Sequence, residues 1–320
     1  MVLRAIIAYA YRMDIQLFRT FVEVANTGSF VAASGRLFVT QSAVSLRVQR
    51  LEDALGQVLF ERSKAGAVLT NAGRKFEPYA LSMLKLWEES RQQVAVPNGF
   101  ARTLAIGGQY SLWPRLGFRW MDALRRAAPD LALRAEVGMP DRLTRFLVEG
   151  VVQAALTYTP QLRPGLAVLP VLDDELVMVA SWRDPGPPDD PRTVRRYAFA
   201  DWGPEFGHAH AAALPGLSTG VTLALGALGA EYLIPRRAAA YMPARAVRRH
   251  LDAKRLHLVP DAPRFPYPAW AVLRDDLDEG LAAVARQTLE AVAEAAEAED
   301  EEVLEALAEI SDGEVDVMEG

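Results

Sequence analysis

The chain has 320 residues, a length that predicts about two domains, each large enough to bury its own core. It contains no cysteine, which excludes disulfides and thiolate zinc sites and suits a reducing cytoplasm. The formal net charge is -6, but 12 acidic residues and no basic ones lie between Glu294 and Glu319, so the rest of the chain carries +6. A nucleic-acid partner is therefore compatible with the charge.

No targeting signal is expected at the amino terminus. The apolar run from Val2 to Tyr11 is short and lacks a small-residue cleavage site. Met13 is a candidate natural start, because the pattern of a folded domain follows it directly.

Residues 29–55 have the pattern of two short helices, at 30–37 and 40–55, joined by a tight break, with the helix-turn-helix motif at 29–48. Ser29 can cap the first helix, and its apolar side chains share one face, at Phe30, Ala33 and Leu37. Thr40 can cap the second, and its core positions are Val44, Val48, Leu51 and Leu55. Polar residues then face outward between arginines, which is typical of a recognition helix in a major groove.

A β-hairpin is predicted directly after these helices. Leu59–Arg62 and Ala67–Leu69 read as strands around a basic tip, which makes a wing that contacts the DNA backbone or minor groove. The predicted DNA-contacting residues are Ser29, Thr40, Gln41, Ser42, Ser45, Leu46, Arg47, Gln49, Arg50, Arg62 and Lys64. The alternative is a helical hairpin in a core with solvated arginines on its surface.

Met13 to about Ser90 resembles the amino-terminal domain of LysR-type transcriptional regulators. The resemblance rests on MDIQLFRTFVEVANTGSFVAASGRLFVTQSAVSLRVQRLEDALGQVLFER and on LTNAGRKFEPYA. Within the family, Ser-Ala-Val-Ser-Leu-Arg-Val and a later Ser-Leu-Trp are most similar to the subgroup that includes regulators of flagellar operons. The resemblance implies a winged helix-turn-helix at 13–70 that binds promoter DNA.

Two residues depart from the family pattern. Ser42 stands where the family commonly has proline, and Leu46 stands where a basic residue is frequent. Leu46 cannot donate a hydrogen bond to guanine, so either Arg47 takes over part of that role or Leu46 contacts a thymine methyl. The operator sequence therefore does not transfer from the family.

A linker helix is predicted at 71–96, capped by Thr70 and ending before the turn Pro97-Asn98-Gly99. Its apolar stripe is expected to pair with that of a second protomer and so to place two winged helix-turn-helix domains on DNA. The predicted dimerisation residues are Phe76, Ala80, Met83, Leu84 and Trp87. The alternative is that this stripe packs on its own chain.

From residue 102 onward, strands and helices alternate, which favours a parallel sheet covered on both faces. The first predicted set is strand 103–106, helix 114–127, strand 131–137, helix 142–148 and strand 151–157. The second set is strands 175–180 and 197–200, a helical run at 221–228, strands 231–234, 256–259 and 269–273, and a helix from about Asp278.

Residues 102–293 are similar to the effector-binding region of the same family, which implies two α/β lobes like those of periplasmic binding proteins. Lobe 1 is expected at about 102–170 and 268–293, and lobe 2 at about 171–267, with an acidic tail at 294–320. The tail is expected to be a solvated helix extension that frays; masking of the DNA surface is the alternative.

A small-molecule effector is expected between the lobes, at strand ends and helix N-termini. The glycines of Gly107-Gly108-Gln109-Tyr110-Ser111-Leu112 would allow close approach, and the following helix would present free amides to an anion. This segment contributes the predicted effector residues Gly108, Gln109, Tyr110 and Ser111, and the family resemblance implies five more, Met139, Tyr158, Thr159, Asp201 and Trp202. Asp201 would repel an anion, so the ligand's charge stays open.

No cofactor, metal or catalytic site is expected. His208 and His210 would share one side of a strand, but no further ligand accompanies them. Residues 210–230 are uncharged, yet one proline and four glycines break the run, which favours a buried loop and helix over a membrane span.

The sequence thus predicts a cytoplasmic homodimeric or homotetrameric DNA-binding regulator, not an enzyme. Two alternatives stay open. The chain is a small-molecule binding protein or enzyme whose head serves only oligomerisation, or a constitutive regulator with an empty cleft.

Overall fold

The computed structural model describes residues 14–63, 66–217 and 219–312, with side chains as far as Ala296 except that of Arg115. The described chain forms two compact units. One comprises residues 14–98 with 145–152, and the other comprises residues 99–144 with 153–312.

The amino-terminal part of the first unit, termed the head, contains four helices and a hairpin. They are α1 (Ile15–Thr27), α2 (Phe30–Leu37), α3 (Gln41–Leu55), β1 (Phe60–Ser63), β2 (Gly66–Leu69) and α4 (Asn71–Val94). The predicted helices at 30–37 and 40–55 and the predicted hairpin are confirmed, whereas α1 is not anticipated by the sequence argument. Lys64 lies outside the described residues.

A capping side chain fixes the start of each helix of the head. Ser29 Oγ accepts from the Ala32 amide at 3.3 Å, and Thr40 Oγ1 accepts from the Ala43 amide at 3.2 Å. Each cap satisfies an amide that has no partner within its own helix, and so the caps set where α2 and α3 begin. Asp14 and Thr70 cap α1 and α4 in the same way.

The core of the head forms where α1 meets the other elements. The ring of Phe21 is fully buried and lies 5.2 Å from the rings of both Phe60 and Phe76. Val44 and Val48 bury the inner face of α3 completely. Burial of each such side chain contributes about 1.5–3 kcal/mol, which holds α3 with its opposite face toward solvent.

The α/β region contains a five-stranded first sheet with the order β4-β3-β5-β13-β6. Its strands are β3 (Arg102–Gly108), β4 (Leu131–Val137), β5 (Ala154–Thr157), β6 (Leu166–Leu172) and β13 (Ala269–Arg274). Strand β3 is parallel to β4 and β5, but β13 is antiparallel to both its neighbours. The prediction of a parallel sheet is therefore wrong for the pairs that β13 forms with β5 and β6.

The second sheet is built around β7 (Glu175–Ala180) and has only antiparallel pairs. Strand β7 pairs with β10 (Ala239–Pro243) on one side and with β11 (His257–Leu258) and β12 (Phe265–Pro266) on the other. Beside it lies a small parallel pair, β8 (Phe199–Ala200) and β9 (Thr222–Leu223). The chain passes from the first sheet to the second between Leu172 and Glu175, and returns between Pro266 and Ala269.

Seven helices are described in the α/β region. They are α5 (Phe118–Ala127), α6 (Pro140–Val148), α7 (Pro191–Arg196), α8 (Pro204–Ala213), α9 (Gly229–Arg236), α10 (Ala244–Asp252) and α11 (Glu279–Asp312). Trp120 of α5 is fully buried, and its indole donates to Ala285 O and Thr288 Oγ1 of α11, each at 3.1 Å. The predicted final helix is confirmed as far as Asp312, while residues 313–320 of the predicted acidic tail lie outside the described residues.

Two predicted elements of the second half have the wrong type. Residues 221–228 contain strand β9 and a 3-10 turn instead of a helix, and residues 231–234 belong to helix α9 instead of a strand. The glycines at 226 and 229 do not break the structure here, because they begin the 3-10 turn and α9. Strands β6, β10 and β12 and helices α7, α8 and α10 are missing from the prediction.

Candidate nucleic-acid interface and effector cavity

Helix α3 has a polar outer face, and burial of its inner face in the core of the head fixes its orientation. Gln41, Ser42, Gln49 and Arg50 are exposed, whereas Val44 on the opposite face is fully buried. Because α3 cannot rotate without exposing its valines, these polar groups stay directed outward. This is the geometry that a helix needs to present donors and acceptors to base edges.

Some of the residues predicted to contact DNA are engaged within the head. Ser29 and Thr40 cap helices, and Thr40 Oγ1 also lies 2.9 Å from Ser42 Oγ. Ser45 and Arg47 are half-buried, and the Arg47 guanidinium lies 3.5 Å from Thr20 Oγ1 of α1. Leu46 is 48% exposed, which leaves it on the outer face.

The wing carries Arg62 on β1, opposite Ala67 of β2. Its guanidinium carbon lies 4.1 Å from the ring centre of Phe30, at the start of α2. Such a cation–π contact orients a guanidinium without neutralising it. Arg62 therefore keeps its positive charge on the exposed side of the hairpin.

The residues predicted for dimerisation on α4 differ in burial. Ala80 and Leu84 are buried in the core of the head, and Phe76 packs on Phe18 and Phe21 of α1. The prediction is wrong for these three residues, because α1 supplies their packing partners within the same chain. Met83 and Trp87 are exposed, together with two residues that the sequence does not single out, Tyr79 and Leu86.

A cavity of about 270 Å³ lies where strands of the first sheet end and helices α9 and α10 approach. Three predicted effector residues line it: Tyr110, Ser111 and Tyr158. Five charged residues that the sequence argument missed also line it: Arg119, Asp174, Glu231, Arg245 and Arg249. They come from distant parts of the chain, and no local motif marks them.

Gln109 ties the end of β3 to the end of β5. Its Oε1 accepts from Thr157 Oγ1 at 2.8 Å and from the Tyr158 amide at 2.7 Å. The Thr157 hydroxyl also accepts from the Thr159 amide at 3.2 Å. Gln109 and Thr159 therefore position Tyr158, and neither lines the cavity.

The glycine at 108 serves packing and not the approach of a ligand. A Cβ there would lie 2.9 Å from Trp113 Nε1, the group that donates to the carbonyl oxygen of Gly108. The expected helix N-terminus with free amides is also wrong. Residues 110–112 form a 3-10 turn, residues 113–117 form a π-turn, and α5 begins only at Phe118.

Burial and nearby charges change the pKa of the Tyr158 hydroxyl. Burial, followed by the nearby Asp174 and Tyr267, raises the pKa of Tyr158 well above its ordinary value, and the Ser111 hydroxyl opposes this shift through a hydrogen bond. Tyr158 thus stays protonated at neutral pH. The cavity wall offers two adjacent hydroxyls for hydrogen bonding.

The charged groups of the wall form two pairs. The buried Asp174 carboxylate accepts from the Glu175 amide at 2.8 Å and lies 4.0 Å from Arg245 Nε. Arg249 Nη2 lies 3.6 Å from Glu231 Oε1. Arg119 adds a third guanidinium group to the described part of the wall.

The remaining predicted effector residues lie outside this cavity. Trp202 is buried, donates to Tyr241 O at 2.8 Å and meets the ring of Tyr267 edge-on. Tyr267 in turn stacks on Tyr158 at 4.1 Å. Asp201 is exposed and accepts from the Gly203 amide in a turn, and Met139 is 65% exposed.

The histidine pair has a different geometry from the expected one. His208 and His210 lie on helix α8, where residues two apart point in different directions. His210 is buried and its Nε2 lies 2.8 Å from the Tyr197 hydroxyl, while burial lowers the pKa of this imidazole. In the described part of the chain, no three His, Cys, Asp or Glu residues cluster as a metal site. Nor does any described helix combine the length and the apolar character that crossing a membrane requires.

A winged helix-turn-helix with an outward polar helix, followed by a two-sheet α/β region that encloses a polar cavity, defines the class of effector-binding transcriptional regulators. The bacterial regulatory helix-turn-helix profile of the lysR family matches residues 15–74, and the LysR substrate binding domain profile matches residues 97–297. The chain belongs to the LysR family of DNA-binding transcriptional regulators, and the predicted family and fold class are confirmed. Members of this family are regulators and not enzymes.

Curated relatives and solved structures agree with this assignment. The HTH-type transcriptional regulator HdfR of Yersinia enterocolitica is 35% identical over 158 residues, which are 49% of this chain and 53% of that protein. HdfR of Yersinia pestis is 31% identical over 202 residues, 61% of this chain and 68% of that protein. The chain thus spans between half and two thirds of these relatives. The crystal structure of ArgP from Mycobacterium tuberculosis has the same fold, with a TM-score of 0.50, 24% identity and coverage of 87% of this chain and 96% of that one.

Proposed function

We propose that this regulator binds promoter DNA as a homodimer, or as a pair of dimers, and that a small molecule in the cavity alters the spacing of its heads. Two copies of α3 then lie in successive major grooves, with the wings on flanking backbone or minor groove. A ligand acts by binding one arrangement of the two sheets more tightly than the other. Because promoter DNA is the partner, the site of action is the cytoplasm, and the flagellar operons suggested by the sequence are candidate targets.

The observation that carries this proposal is the two-sided character of α3. Its valines are fully buried, while Gln41, Ser42, Gln49 and Arg50 are exposed. A helix that served only oligomerisation would expose an apolar surface here. The polar surface instead offers the groups that base edges require.

Gln41→Ala tests the reading of bases. The amide of Gln41 can donate and accept at one adenine, so its loss should reduce the ratio of operator to random-DNA affinity about tenfold. The measurement is a gel-shift titration with both duplexes at one salt concentration. Gln57→Ala is the matched control, because Gln57 is an exposed glutamine just beyond the end of α3. A Gln41→Ala ratio equal to that of the wild type would remove this assignment.

We infer that the effector is a small carboxylate with an apolar body. The guanidinium groups of Arg119, Arg245 and Arg249 in the wall can each bind a carboxylate, and the Tyr158 and Ser111 hydroxyls supply hydrogen bonds. The volume of about 270 Å³ limits the ligand to a small metabolite.

Thermal-shift measurements with benzoate, benzamide and benzylamine test the charge preference on one carbon skeleton. Binding to the native state raises Tm, so benzoate should raise it most and benzylamine least. A Tyr158→Phe variant should reduce the benzoate shift. An equal response to all three compounds would contradict the carboxylate assignment, and no response to any carboxylate would favour a constitutive regulator.

A further inference from the structure

Phe38 occupies the turn between the two helices of the helix-turn-helix, and it is 93% exposed. It is the residue that ends α2, with φ 54° and ψ 42°, in the left-handed region. A bulky side chain is disfavoured in this conformation. Phe38 therefore carries both a backbone cost and the cost of an aromatic ring in water.

The two other helices of the helix-turn-helix region end differently. Helix α1 ends at Gly28 with φ 61°, and α3 ends at Gly56 with φ 64°. Glycine adopts this conformation at no steric cost, and asparagine adopts it readily. The same backbone turn after α2 does not require phenylalanine, and nothing about the fold of the head explains its presence there.

The position of the ring points to its partner. Phe38 lies two residues before Thr40, the residue that caps α3. In a helix-turn-helix the amino-terminal end of the second helix approaches the bases of the major groove. An exposed aromatic ring beside that end can contact the C5-methyl group of thymine, an apolar group that distinguishes thymine from the other bases.

We propose that Phe38 is a specificity-determining residue that contacts a thymine methyl at the edge of the surface read by α3. The inference rests on the proposed placement of α3 in the groove. On binding, the ring leaves water and the thymine methyl becomes buried. The backbone cost at Phe38 is kept because the ring acts in the complex and not in the free head.

The experiment uses the full chain and a duplex selected by the wild-type protein from random-sequence DNA. Each thymine of the selected duplex is replaced singly by uracil, which lacks only the C5-methyl group, and affinities are measured by gel shift. We expect one replacement at the edge of a half-site to weaken wild-type binding about three- to tenfold. Phe38→Asn should bind the unmodified duplex more weakly by a similar factor and should be insensitive to that same replacement.

Two controls separate this role from a structural one. Phe38→Asn suits the left-handed backbone, so its Tm should equal or exceed that of the wild type, and weaker binding cannot then come from a damaged head. Leu46→Asn removes another exposed apolar side chain, from α3 itself, and should keep the sensitivity at the thymine assigned to Phe38.

The outcomes distinguish this inference from the proposed function. If the wild-type protein selects no sequence, the placement of α3 fails and this inference fails with it. If it selects a duplex but Phe38→Asn keeps the wild-type affinity and uracil profile, only the role of Phe38 is overturned. The same holds if Phe38→Asn weakens random DNA as much as the selected duplex, because a backbone contact would then be indicated.

Discussion

The polar side chains of the helix-turn-helix have two different roles, one in folding and one in DNA recognition. Thr40 accepts from the Ala43 amide and Ser29 accepts from the Ala32 amide, so both contribute to the helix-turn-helix geometry. Gln41, Gln49 and Arg50 have exposed side chains that remain available for DNA. Polar character alone does not separate these two roles. The sequence therefore places all five residues in one group of predicted DNA contacts.

Thr40→Ala should destabilise the head by about 1 kcal/mol, because an amide at the start of α3 loses its partner. Urea unfolding measured by circular dichroism provides the free energy of unfolding. Thr40→Ser keeps the capping oxygen and should restore most of the loss. If Thr40→Ala leaves stability unchanged, the cap does not set the start of α3.

Arg62→Ala should weaken operator and random DNA alike, because a guanidinium on the wing contacts phosphates that every sequence shares. The slope of log affinity against log salt should decrease in magnitude by about one. Arg62→Lys keeps the charge and should keep the slope. A loss restricted to the operator would instead make Arg62 a base-reading residue.

His210 makes the stability of the α/β region depend on pH. Burial lowers the pKa of its imidazole in the folded state, so the unfolded chain binds the proton more readily. This contribution is present above the unfolded value of about 6.5 and is lost as the pH falls through the lowered folded pKa. The drop in Tm between pH 7.5 and 5 should be smaller in His210→Gln than in the wild type, and equal drops would contradict the assignment.

At the scale of elements, two helical glycines give opposite expectations for the same substitution. A Cβ at Gly73 would collide with the backbone oxygen of Leu59 and lie 2.9 Å from Leu69 Cδ2, whereas a Cβ at Gly35 would meet nothing within 4 Å. Gly73→Ala should therefore lower the Tm of the head, and Gly35→Ala should stabilise it by up to about 1 kcal/mol. Thermal melts of the two variants decide whether α4 packs as closely on Leu59 and on β2 as the structure indicates.

The exposed face of α4 is our candidate for the contact between protomers. Tyr79, Met83, Leu86 and Trp87 expose a contiguous apolar surface on one helix, which water disfavours. Trp87→Glu should shift the protein toward monomer in analytical ultracentrifugation. Leu162→Glu, at an exposed leucine in the α/β region, should leave the mass unchanged. A dimer that survives Trp87→Glu would locate the interface elsewhere.

Elements that local contacts define can be predicted from the sequence, whereas elements that depend on distant partners cannot. Helices α2, α3 and α4 are local, because caps and periodic apolar residues fix their limits, and they are predicted correctly, whereas α1 is missed. Strand β6 was missed because Pro170 interrupts its pattern. Proline is tolerated there because β6 is the edge of the first sheet and its pairing with β13 is irregular at that point.

Strand β10 and the charged wall of the cavity depend on distant partners. All five residues of β10 are buried, so the strand has no alternation to reveal it, and its partner β7 lies far earlier in the chain. Asp174 and Arg245 meet only because the second sheet brings them together. Residues 110 and 111 follow from the glycine-rich segment at 107–112, and residue 158 follows from the family resemblance.

At the scale of the whole molecule, one chain carries both a DNA-binding surface and a cavity for a ligand. The head offers a polar helix for DNA, and the α/β region offers a small cavity lined by charged and hydroxyl groups for a ligand. A ligand can regulate DNA binding only if it has different affinities for two arrangements of the protein. By linkage, operator DNA should then change the affinity for benzoate by the same factor as benzoate changes the affinity for the operator. Isothermal titration with and without operator duplex measures this factor, and a factor of one would contradict coupling between the two sites.

The central claim is that two copies of α3 read DNA together. Sequencing of duplexes selected from a random library by the full chain tests it most directly. We expect an enriched motif with two-fold symmetry whose half-site centres are separated by about 10 bp or a multiple of this distance. Enrichment of a single unpaired half-site, or no enrichment at low salt, would contradict the account.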